Sequence, residues 1–79
     1  MNKTEIKLNE KNLKEGFSFT FRNEIEELEI EIFFSGFSRA FHFIESGILT
    51  SSFRSFNGMK KALDKKIKEQ NLEFIESDK

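Results

Sequence analysis

Residues 17–22 read Phe-Ser-Phe-Thr-Phe-Arg, with Phe17, Phe19 and Phe21 alternating with Ser18, Thr20 and Arg22. A period of two built from strong β-formers predicts a strand with one buried face. The period returns over residues 26–34, where Leu28, Ile30, Ile32 and Phe34 alternate with Glu27, Glu29, Glu31 and Phe33. Ser35-Gly36 then offers a two-residue hairpin turn. Closing the loop there pairs Phe34 with Phe37, Ile32 with Arg39, Ile30 with Phe41 and Leu28 with Phe43. Phe37, Phe41 and Phe43 would then share a face with Leu28, Ile30 and Ile32, and Glu29 would lie across from His42. A four-residue loop would shift the partners and keep the same faces together.

Ser46-Gly47 is a second turn of this type, and residues 48–53, "ILTSSF", continue the meander as a weaker strand. Upstream, "TEIKLNE" at residues 4–10 alternates Ile6 and Leu8 with polar residues, a short half-buried strand, and "NEKNLKEG" reads as a polar connection ending at Gly16. From about Asn57 the period changes. Phe56, Met59, Leu63, Ile67 and Gln70 recur every three or four residues, which predicts an amphipathic helix of about 13 residues. Ser55 or Asn57 caps its start and Asn71 its end, while Lys65, Lys66 and Lys68 complement its dipole. "LEFIE", residues 72–76, is a closing strand, with Ser77 to Lys79 fraying. The expected architecture is α+β: an antiparallel meander of about four to six strands, one C-terminal helix on one face and a short closing strand, all in one domain spanning 1–79.

With 79 residues, the chain buries only about 60% of the surface its unfolded form exposes. Eleven Phe, with no Tyr, Trp or Cys, supply large apolar area where disulfides and thiolate metal sites are unavailable. Thirteen basic residues against 14 acidic give a net charge of −1, hence no global field favouring nucleic acid or membrane. The distribution is uneven. Residues 24–31, "EIEELEIE", hold five acids and no base, whereas residues 54–68 hold Arg54, Lys60, Lys61, Lys65, Lys66 and Lys68 against Asp64. An acidic side and a basic side are expected. With neither a leader pattern nor a long apolar run, the expected location is cytoplasmic, with no membrane role.

Three stretches invite chemistry. Residues 39–46 brush against the RNP1 signature of RNA-binding domains, with Arg39, Phe41 and Phe43 in place, but that fold needs a helix between its first two strands and no segment before residue 55 reads as one. Residues 51–61, "SSFRSFNGMKK", form a polar loop entering a helix, where Arg39, Arg54, Ser55, Asn57, Lys60 and Lys61 would serve an anion or a nucleic-acid backbone. Its plainer reading is a capped helix start with solvated lysines. Glu29, Glu31 and His42 would cluster on the outer sheet face, where a cross-strand Glu-His pair outweighs a metal site. One His, no Cys and no Tyr leave the catalytic inventory nearly empty, so no enzyme, cofactor or metal is expected.

The outer face carries the main functional expectation. One helix covers one face, leaving Phe33, Ala40 and Ile44, joined by Leu49 and Phe53, for the N-terminal segment or a partner to cover. The expected function is protein binding through Glu27, Glu29, Glu31, Phe33, Ala40, Ile44, Leu49 and Phe53, with another protein or a second copy, as a homodimer, on that face. Short, Cys-free, Pro-free and biased toward Lys, Asn, Ile and Phe, the chain has the style of phage and mobile-element accessory proteins. An inhibitor of a host enzyme or defence complex fits that style. The alternative is a nucleic-acid binder using the basic loop and helix of residues 54–68.

Overall fold

A computed structural model describes residues 6–79. The alternating segments form five strands: β1 (Ser18–Asn23), β2 (Leu28–Ser35), β3 (Ala40–Glu45), β4 (Ile48–Phe53) and β5 (Glu73–Asp78). They lie in the order β4-β3-β2-β1-β5, every pair antiparallel. Two helices join them, α1 (Glu10–Lys14) before β1 and α2 (Phe56–Gln70) between β4 and β5. The α+β meander with its late helix and closing strand is therefore the architecture the periodicities predict.

The β2–β3 register differs from the two-residue reading. Ser35 pairs with Ala40, Phe34 with Phe41, Ile32 with Phe43 and Ile30 with Glu45, so the loop is Gly36 to Arg39. The shorter loop would have put Arg39 on the core face beside Phe41 and Phe43, where an unpaired guanidinium is costly. In the longer loop Arg39 leaves the ladder at φ +56, its N–H donating to the Ser35 carbonyl at 2.7 Å. Phe37 leaves with it. It is not core, as its alternation suggested, but fully exposed at 103%. The β1–β2 loop, Glu24 to Glu27, is built alike: the Asn23 side chain accepts from the N–H groups of Ile25 and Glu26, and Glu27 takes φ +57. Ser46-Gly47 does form a two-residue turn, both residues at positive φ, which suits the twist of a tight hairpin.

Helix α2 starts at Ser55, whose Oγ accepts the Gly58 N–H at 3.0 Å, and ends at Asn71 in the left-handed region. Its 15 residues rise about 22 Å, close to the about 19 Å width of four interstrand spacings. That length carries the chain from one edge strand to the other. Met59 and Leu63 are fully buried against Phe19, Phe21, Ile30, Ile32, Phe41 and Phe43. Ser77 and Asp78 do not fray: they pair with Phe19 and Ser18 of β1.

The start of the chain departs most from expectation. Residues 6–9 form no strand, residues 3–5 lie outside the described residues, and the polar connection contains α1. Asn9 caps α1 by accepting the Asn12 N–H at 2.8 Å, and Leu13 is 0% exposed in the core. A helix before residue 55 therefore exists, but it precedes β1. The first two strands meet through a loop, so the RNP1 arrangement is absent and Phe41 and Phe43 are core.

Candidate protein-docking face

Both helices pack on the same side of the sheet. Leu13 of α1 joins the cluster beneath α2, Lys14 lies 5.5 Å from the Phe34 ring centre, and Ile6 and Leu8 also rest against that cluster. Residues 6–14 thus add to the covered side. Among the described residues no helix crosses that outer face.

Strand alternation and register arrange the outer face in rows. One row runs Leu49, Ile44, Glu31, Thr20, Glu76 across all five strands, and another runs Glu29, Arg22, Glu73 across β2, β1 and β5. A third contains Ser52, His42 and Phe33. Toward β4 and β3 the face is apolar, with Ile44, Leu49 and the β2 residue Phe33, which lies opposite His42 of β3. The β2–β1–β5 half holds Glu29, Glu31, Glu73, Glu76 and Asp78 against Arg22 alone, and Arg22 is spent on Glu29 at 2.9 Å. The opposite side carries the α2 lysines. The acidic and basic sides expected from the sequence are therefore two sides of one sheet.

Several expected site residues need moving. Phe53 lies on the core side, paired with Phe41 and with its ring 4.9 Å from that of Phe43. The cause is a bulge at Thr50, which reverses the alternation along β4 and leaves Leu49 outside and Phe53 inside. Ala40 is 8% exposed and offers a partner almost no surface. Glu27 belongs to the β1–β2 loop. Glu29 and Glu31 are on the face, but neither meets His42, which lies opposite Phe33. Among the described residues no three His, Asp or Glu side chains converge on a metal-sized site.

His42 is instead the centre of a hydrogen-bonded chain that the sequence did not reveal. Its Nε2 is 2.8 Å from Ser38 Oγ and its Nδ1 2.7 Å from Ser52 Oγ, with the Phe33 ring centre 5.2 Å from its own. Buried to 9% exposure, the ring has both nitrogens satisfied and ties the β2–β3 loop to β4. The only signal available beforehand was the i, i+4 spacing of Ser38 and His42, meaningless until the loop was known.

The residues of the anion reading are dispersed in role. Ser55 Oγ is occupied by the Gly58 N–H, and Lys60 is paired with Asp64 at 2.8 Å. Arg39 and Arg54 do share one end of the sheet, because Phe41 pairs with Phe53. Asn57 and Lys61 are exposed on the first turns of α2. Among the described residues no helix is long and apolar enough to cross a membrane. Set against known protein families, curated proteins and solved structures, the chain matches none.

Proposed function

We propose that the protein is a small non-enzymatic binding module that docks on another protein through the uncovered face of its sheet. The observation that carries this reading is the composition of that face, an apolar half of Phe33, Ile44 and Leu49 beside an acidic half of Glu29, Glu31, Glu73 and Glu76. Apolar contact supplies binding energy, and a single-sign border supplies orientation and rate. The complementary partner has an apolar patch bordered by Lys and Arg, the cations with which proteins also grip nucleic-acid backbones. Blocking such a surface would make the module an inhibitor, the role its phage-like composition also suggests.

The test compares the immobilised chain with an Ile44→Asp/Leu49→Asp double variant in extract of its source cells, read by quantitative mass spectrometry. Leu49 is half exposed and Ile44 sits on the outer face, so the variant should keep its circular dichroism spectrum. A protein retained by the wild type, lost by the variant and captured more slowly at about 0.5 M salt supports the reading. Equal retention by both chains overturns it. Tight binding of an oligonucleotide, weakening steeply with salt, would replace it with the nucleic-acid reading.

A further inference from the structure

Strand β2 separates two unlike ends. Where it turns into β3, the loop Gly36 to Arg39 holds Phe37, at 103% the most exposed large apolar side chain among the described residues. The loop is braced. Ser38 N–H donates to Ser35 Oγ at 3.3 Å, Arg39 N–H to the Ser35 carbonyl at 2.7 Å, and Ser38 Oγ is tied through His42 to Ser52. The ring itself projects free, but a braced loop loses little backbone freedom when its side chain is buried, which favours Phe37 as an anchor. Arg39 and Arg54 flank it at the same end, and neither has an acidic partner within ion-pair distance among the described residues.

At the other end of β2, the β1–β2 loop and the start of β5 enclose a groove of about 430 Å³. Two isoleucines line it: Ile25, 94% exposed, and Ile75, the extra residue where the β1–β5 register shifts. Glu24, Glu26 and Glu73 line it too, with no ion-pair partner among the described residues, while the Arg22 at its wall is met by Glu29. One end of the molecule is thus an aromatic knob between cations. The other is a groove with apolar lining and anionic rim.

We infer that Phe37 of one copy enters the groove of a second copy, between Ile25 and Ile75, with Arg39 and Arg54 set against Glu24, Glu26 and Glu73. Charge complementarity between the two ends identifies the occupant. Eight residues of β2 separate knob from groove by about 25 Å, so the ring cannot reach the groove of its own chain. The contact is therefore heterologous, head to tail, and successive copies close into a ring or extend as a filament. It goes beyond docking by the sheet face and uses neither Ile44 nor Leu49, so either idea can fail alone.

Analytical ultracentrifugation tests it with two exposed-loop variants whose folding is followed by circular dichroism. The wild type should grow in weight-average mass with concentration at low salt and lose that growth at about 0.5 M salt. Phe37→Ala, which lacks the knob, and Glu24→Lys/Glu26→Lys, which reverses two of the three rim charges, should each remain monomeric. Mixed together, they retain one functional knob and one functional groove, so the mixture should form heterodimers and nothing larger. A wild type that stays monomeric at every concentration, a Phe37→Ala chain that associates as the wild type does, or a mixture that stays monomeric would each overturn the inference.

Discussion

Glu45 lies opposite Ile30, on the core side of β3, where a carboxylate needs partners. Lys66 of α2 supplies one at 3.0 Å, with the two side chains 27% and 24% exposed, and the Thr50 hydroxyl donates to the other carboxylate oxygen. Partial burial pushes the carboxyl up; the Thr50 hydrogen bond and the Lys66 ammonium pull it down and prevail, leaving it below its ordinary value of 4.5. A group depressed in the folded state stabilises above its unfolded value, and that contribution is lost as pH falls through the folded one. Thermal melts of wild type and Glu45→Gln should therefore converge as pH drops from about 6 to about 3, with the wild type the more stable only at the upper end. A constant gap across that range would mean that the ion pair contributes nothing to folding. None of this was legible beforehand, because Thr50 reaches Glu45 through the bulge in β4, and a bulge leaves no mark in a hydrophobic pattern.

Among the elements, α1 is the least legible, and a single buried side chain ties it to the core. Five residues with a single apolar side chain have no period to detect, and a helix this short does not persist alone in water. What holds it is Leu13, 0% exposed in the shared core. Leu13→Ala should cost about 2–5 kcal/mol in urea unfolding, against under about 0.5 kcal/mol for the exposed Lys11→Ala. A Leu13→Ala cost below about 1 kcal/mol would show that α1 is an ornament on the core rather than part of it. The long periodic segments were legible for the opposite reason. Phe17, just before β1, with Phe19 and Phe21 within it, and the spacing of Phe56, Met59 and Leu63 in α2, each turn one face to the core, so packing and pattern agree. Where they disagree, the pattern loses: Phe37 continues the alternation of β3 by sequence and leaves it in space, because keeping it would have buried Arg39.

For the whole molecule, the sequence foretold an acidic and a basic side, which follow from which positions are charged, but left open whether the N-terminal segment would cover the outer sheet face. It could not foretell the strand at each edge. Order β4-β3-β2-β1-β5 requires α2 to return the chain across the sheet, so Ser18 and Asp78, neighbours in the ladder, are 60 residues apart in sequence. The hairpins of β1 to β4, in contrast, close through loops of two to four residues. Loop-closure entropy must be met before a distant pairing is rewarded, so the local hairpins are expected in the folding nucleus and the β1–β5 pairing after it. Phe74 of β5, 5.6 Å from the Phe21 ring, separates the two stages. In stopped-flow experiments Phe74→Ala should speed unfolding and leave refolding nearly unchanged, whereas Phe43→Ala should slow refolding; the reverse pattern would place β5 in the nucleus. The helix that shields the core thus also sets a clock: by contact order the sheet should divide into an early hairpin array and a late edge, and native-state opening should start at β5.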